Sequence, residues 1–171
     1  MDRGLSPAAV ERAHRIEDSA DGRWVPQFLS LSAAIDNSRK DQTLNTPALA
    51  TIVMAERQVR WLLERGGMDE VSAHCAQASS LIYDWAETSL AARPFVENPT
   101  WRSPVTATIE IDEAVAASEL VAHLRARGIV DIGAYRGVGV NQLRIGTWPS
   151  VEIEDVEALL GCIDYCLERA L

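Results

Sequence analysis

The sequence predicts an α+β fold, with helices first and a β-α-β-β-α unit after them. Three observations carry this reading. Apolar residues recur every three to four positions through the first half of the chain. Beyond Pro99 the period shortens to two. A Gly-rich turn then leads into a further strand, and a Trp148-Pro149 break separates that strand from a last amphipathic helix. A chain of 171 residues at 47% hydrophobic and 24% charged can bury its own core without disulfides or a metal.

The elements follow in order. Ser6-Pro7 opens a helix to about Asp18, with a capping hydroxyl and then proline where its missing N–H costs nothing. Residues 22–44 read as irregular, anchored by Trp24, Phe28, Leu29 and Leu31 and followed by the polar tract 36–42. Asn45-Thr46-Pro47 opens a second helix with Leu49, Ile52, Val53, Val59, Leu62 and Leu63 at helical spacing, and Gly66-Gly67 stops it. A third helix starts at Asp69, with Val71, Cys75, Ala78, Leu81, Ile82 and Trp85 on one stripe.

Val105, Ala107, Ile109 and Ile111 alternate with polar residues, as in a half-buried strand. A helix over 113–127 points Leu120, Val121 and Leu124 inward and ends at Gly128. Ile129–Ile132 reads as a short strand, the Gly-rich turn 133–139 follows, and 141–147 is a strand. Residues 152–170 close the chain as a helix burying Val156, Leu159, Leu160 and Ile163. There is no internal repeat.

Composition narrows function. Sixteen Lys+Arg against twenty-five Asp+Glu give a net charge of −9, which argues against a nucleic-acid partner. No apolar run approaches the roughly 18 residues of a membrane span, and Met1–Gly4 opens no signal peptide. The expectation is a cytoplasmic protein without membrane attachment. Cys75, Cys162 and Cys166 form no C-x-x-C pair, and Cys162 and Cys166 read as small hydrophobes on one helical face. His14, His74 and His123 are isolated, so no metal site is expected.

Two places can hold chemistry. At Asn45-Thr46-Pro47 a helix N-terminus offers backbone N–H groups and partial positive charge, with Asn45 and Thr46 adding side-chain donors. Plain capping explains the same residues. The second place is Arg136 and Arg144, flanking the glycine-rich turn. Arg144 lies on the strand face opposite Leu143 and Ile145. An arginine fork matches carboxylate or phosphate, and on an acidic protein an anionic ligand needs such local cations. Solvated arginines, or Arg144 bridged to an acid, are the alternative.

Longer stretches give these residues a context. They are Arg23–Leu31, Asp36-Asn37-Ser38, Lys40–Ala48, Arg60–Leu63 before Gly66-Gly67, Leu81–Glu87, Gly128–Ile132, Tyr135-Arg136, Asn141–Ile145, Pro149 and Val156–Leu159. In this order they resemble the phosphoserine aminotransferase family over nearly the whole chain. The resemblance implies the C-terminal small domain of a fold-type I pyridoxal-phosphate transferase, with a large-domain remnant over 1–45 and the small domain with its linking helix over 46–171. It implies a homodimer making phosphoserine from glutamate and 3-phosphohydroxypyruvate on the route to serine. Asn45 and Thr46 are implied to reach the cofactor phosphate across the dimer interface, Arg144 to hold the substrate carboxylate, and Arg136 to help hold its phosphate.

The resemblance is to the C-terminal half only. The Schiff-base lysine lies outside it, and so do the aromatic and the acid that would hold the cofactor ring. Lys40, the only lysine, matches a polar tract and not the Schiff-base position. The chain alone is therefore expected to be catalytically incompetent: a truncated product, or one piece of a split enzyme partnered by a separate N-terminal half. The alternatives are a non-catalytic dimerisation or interaction module of the same ancestry, and a fragment of an alanine or serine–glyoxylate type aminotransferase. Gly137 and Val140 stand where close relatives carry basic residues, which would weaken phosphate selectivity.

Overall fold

The computed structural model describes residues 6–18, 24–137 and 141–170. Residues 138–140, the end of the predicted glycine-rich turn, lie outside the described residues. The chain divides into two compact units, one up to Gln58 and one from Val59.

In the first unit α1 spans Pro7–Asp18, and the Ser6 hydroxyl accepts from the Ala9 N–H at 3.2 Å as its cap. The stretch expected to be irregular contains a short 3₁₀ turn at Gln27–Leu29 and then α2, Leu31–Ser38. Local capping builds α2. Ser30 Oγ accepts from the Ala33 N–H at 3.0 Å and donates to Glu17 at 2.8 Å, while Glu17 also accepts from the Ser32 N–H at 3.1 Å. A carboxylate from α1 thus sits at the positive end of α2. The Ser30 hydroxyl, and after it the Ser32 N–H, holds the Glu17 carboxyl below its ordinary range. Trp24, Phe28, Leu29 and Leu31 are exposed and anchor nothing; Ile35 packs with Val10 and Ala13 instead.

The next helix, α3, spans Leu49–Glu64 and so begins after Pro47. Its stripe of Leu49, Ile52, Val53, Val59 and Leu63 is exposed. Gly66 and Gly67 stop it with φ of 101° and 80°, a region that favours glycine.

Helix α4, Gly67–Thr88, begins two residues before Asp69; of the predicted stripe it buries Val71, Cys75, Ala78 and Ile82, leaves Leu81 and Trp85 half-buried, and buries Ala86 besides. The sheet has three antiparallel strands in the order β1-β2-β3: Ala92–Pro94, Thr106–Ile111 and Gln142–Gly146. Helix α5 is Ala117–Arg125 and α6 is Ile153–Ala170. The order after the helices is therefore β-β-α-β-α, which corrects the expected β-α-β-β-α. β1 is too short to show a period. Its Pro94 fits an edge strand, which has a partner on one side only.

Ile129–Ile132 forms no strand. The Gly128 N–H bonds back to Arg125 O and the Ile129 N–H to Leu124 O, each at 3.1 Å, so the chain stays wrapped around the end of α5. Asp131 then takes φ 62°, which breaks the extended run. Helix α5 starts four residues later than predicted because Asp112 captures the Ala114 N–H at 2.9 Å and the Val115 N–H at 3.0 Å in a turn.

One face of the sheet builds the core. Ala107, Ile109 and Ile111 meet Leu143 and Ile145, beneath Ile82 of α4, Leu124 of α5 and Val156 and Ile163 of α6. Each large side chain so buried contributes about 1.5–3 kcal/mol. Trp85 Nε1 donates to Asp164 at 2.8 Å and ties α4 to α6. The other face is polar, with Thr106, Thr108, Glu110 and Arg144 half-buried.

Candidate functional site

Arg144 is placed by the register of β3. It lies opposite Thr108, while its neighbours Leu143 and Ile145 oppose Ile109 and Ala107. Its side chain therefore leaves the core face, as the alternation predicts. Its N–H donates to Ile132 O at 2.9 Å, and Gly133 bridges Leu143. That contact draws Tyr135 alongside, and the Arg144 guanidinium carbon lies 5.0 Å from the Tyr135 ring centroid.

Three other arginines stack on aromatic rings: Arg65 on Trp61, Arg102 on Tyr83 and Arg169 on Tyr165. Each also has a carboxylate within salt-bridge range, Glu152 at 3.6 Å, Glu87 at 2.6 Å and Glu168 at 3.9 Å respectively. Among the described residues Arg144 has none, and neither does Arg136. The alternative of an Arg144 bridged to an acid is thus not what the structure shows. A guanidinium over a ring face keeps its N–H groups in its own plane, where they can meet the two oxygens of an anion.

A cleft of about 760 Å³ lies along this edge, with Arg144, Gly146, Trp148, Asp155 and Cys162 in its lining. Gly146 has a local reason: a Cβ there would stand 3.0 Å from the Trp148 indole nitrogen, so glycine lets the ring close over the strand. Arg136 is exposed, next to Tyr135 in sequence, and is not part of this lining.

Asn45 and Thr46 belong to the first unit and are exposed in the loop before α3. The Thr43 hydroxyl donates to Asn45 O at 2.6 Å and shapes the loop. The first turn of α3 holds no acid, and Asn45 and Thr46 lie exposed ahead of it as the side chains there that could donate to a phosphate. Lys40 is exposed in the turn after α2.

Cys162 is exposed, which corrects its expected packing; Cys166 is half-buried and Cys75 buried. Burial pushes the Cys75 thiol up. His74 Nε2 lies 2.8 Å from Val151 O, a structural bond. Among the described residues no group of three His, Cys, Asp or Glu could hold a metal ion, and no helix is long and apolar enough to cross a membrane.

No protein-family model matches the chain. A putative phosphoserine aminotransferase of Mycolicibacterium vanbaalenii is 48% identical over 165 residues, covering 96% of this chain and 44% of that protein. The phosphoserine aminotransferase of Rhodococcus jostii is 47% identical over the same shares. The chain is homologous to part of phosphoserine aminotransferase. It spans less than half the length of the curated relatives it matches. Among solved structures, the phosphoserine aminotransferase of Bacillus circulans subsp. alkalophilus superposes with a TM-score of 0.72 at 27% identity, covering 82% of this chain and 38% of that one. The enzyme from Trichomonas vaginalis, solved with pyridoxal phosphate bound, matches in fold at a TM-score of 0.67 and 20% identity, covering 83% of this chain and 40% of that one. The expected α+β fold of these aminotransferases is thus found.

Two residues of the site escaped the reading by pattern. Asn141, at the predicted strand start, lies just before β3, where its side chain accepts from the Ala117 N–H and donates to Ile111 O, each at 2.8 Å, bonds that nothing local announces. Tyr135 was visible only as a neighbour of Arg136. Its stacking on Arg144 depends on the bridge at Gly133, a contact between residues ten apart in sequence.

Proposed function

We propose that this chain is the anion-gripping part of a phosphoserine aminotransferase, an enzyme that moves an amino group between glutamate and 3-phosphohydroxypyruvate to make phosphoserine. Homology over 96% of the chain supports the family. The observation that carries the role is Arg144: stacked on Tyr135, facing away from the core, and alone among the four stacked arginines without a carboxylate among the described residues.

In this reading Arg144 takes the substrate carboxylate through two parallel N–H···O bonds and so fixes the orientation of the carbon that gains or loses nitrogen. Arg136 takes up part of the phosphate charge, and the exposure of its side chain suits a distal, doubly charged group. Pyridoxal phosphate, when bound, supplies the electron sink for the transfer. Asn45 and Thr46 would donate to its phosphate, in the partner subunit of a homodimer. The proton shuttle and the covalent lysine belong to polypeptide outside these 171 residues. Residues 1–45 then belong with the large cofactor-binding domain and 46–171 form the small domain with its linking helix. The cytoplasm, where small amino acids and keto acids are at hand, is the expected place of action.

The test joins this chain to the portion of the Rhodococcus jostii relative that it does not cover. Glutamate-dependent formation of phosphoserine is the expected result. A folded product that binds cofactor and shows no turnover with this substrate pair overturns the reading.

A further inference from the structure

The start of β3 is held by one side chain. Asn141 Oδ1 accepts from the Ala117 N–H at 2.8 Å, which is the first residue of α5. Its Nδ2 stands 2.8 Å from Ile111 O, 3.1 Å from Asp112 O and 3.0 Å from Val115 O. Its own backbone oxygen accepts from the Ile111 N–H at 3.0 Å. One amide therefore joins the end of β2, the 112–116 turn, the start of α5 and the start of β3.

That convergence matters because of where β3 lies. It has β2 on one side only. On its other side, among the described residues, stand the single Gly133–Leu143 bridge and the Arg144–Ile132 bond. In an antiparallel strand, a slip of one residue sends every side chain to the opposite face. Arg144 would then turn into the core and leave Tyr135. Its far end is fixed by Thr147, whose hydroxyl donates to Pro104 O at 2.8 Å.

We infer that Asn141 is a positioning residue: by pinning the register of β3, three residues before Arg144, it keeps the guanidinium on the polar face and over Tyr135 for an anionic amino acid. The inference rests on the reading of Arg144 given above.

The experiment uses the full 171-residue chain, labelled with nitrogen-15, and O-phospho-L-serine as the probe. Affinity is read from the shift of the Arg144 Nε–H resonance, with backbone amides of β3 followed where the arginine is replaced. Asn141→Ala is expected to raise Kd about tenfold or more, the equivalent of one to two hydrogen bonds. Trp85→Phe removes a bond of similar worth between α4 and α6 and should leave Kd unchanged. Asn141→Asp keeps an acceptor for the Ala117 N–H but loses the three carbonyl contacts. It should weaken binding too, and it decides the matter if the alanine variant does not fold.

Wild-type affinity in the Asn141 variants, with binding lost in Arg144→Ala, overturns the inference and leaves the role of Arg144 standing. An equal loss in Trp85→Phe also overturns it, because the effect is then general loosening. Unchanged binding in Arg144→Ala, or no saturable binding in the unsubstituted chain, overturns both.

Discussion

The guanidinium of Arg144 lies over the ring of Tyr135 at 5.0 Å, on the face of β3 that turns away from the core. The ring sets the plane in which the guanidinium presents its N–H edges. At a partly exposed site such a stack contributes about 0.5–1 kcal/mol. Tyr135→Ala is expected to weaken binding of phosphoserine two- to fivefold, and Tyr135→Phe to leave it near the starting value. Calorimetric titration of the two variants checks this. Equal losses in both would mean that the phenol hydroxyl, and not the ring face, carries the effect.

Trp85 and Asp164 make a second measurable pair. Their 2.8 Å bond joins α4 to α6 across the helical layer. Trp85→Phe keeps most of the ring volume and leaves the carboxylate without that donor, so unfolding in urea should begin earlier by about 1 kcal/mol. Asp164→Ala should cost a similar amount, and the double variant should cost less than the sum of the two.

Glu17 gives the first unit an acid-sensitive contact. Ser30 and Ser32 favour the charged carboxylate, so the folded form holds its proton more weakly than the unfolded chain, whose ordinary value is 4.5. The contribution is full above that value and is lost as pH falls below it. The protection of the Ser32 amide, taken as its exchange rate relative to that of the unfolded chain at the same pH, should therefore fall in acid. In Glu17→Gln this protection should show no such pH dependence.

The thiols should separate by reactivity. Cys75 is 3% exposed and its thiol is raised by burial, whereas Cys162 is exposed on α6. Iodoacetamide should label Cys162 in the native chain and Cys75 only after denaturant. Mass spectrometry of the labelled peptides reads the order directly. Early labelling of Cys75 would mean that α4 opens locally.

Much of the second unit was legible because burial has a period. The alternation over Val105–Ile111 gave β2 and its core face, and the same argument put Arg144 on the opposite face of β3. What escaped depends on contacts that periodicity does not encode. β1 is three residues ending in Pro94. α2 is capped by Ser30, and a carboxylate from another helix, Glu17, accepts from the Ser30 hydroxyl and the Ser32 N–H. The predicted strand at 129–132 fails because Gly128 and Asp131 adopt positive φ. α3 carries the helical stripe that its sequence shows, yet the stripe is exposed. For the candidate site, the residue types at Arg136 and Arg144 were readable, while the lack of a salt-bridged acid at Arg144 among the described residues depends on packing that no pattern encodes.

Arg136 and Arg144 are proposed to divide one substrate between them. The most direct measurement is kcat/KM for 3-phosphohydroxypyruvate and for pyruvate, with the chain joined to the rest of the Rhodococcus jostii relative. Arg144→Ala should lower kcat/KM about a hundredfold for both acids, since each has the carboxylate. Arg136→Ala should lower it for the phosphorylated acid alone. A loss shared equally by both substrates in Arg136→Ala, or no loss in Arg144→Ala, would contradict the account.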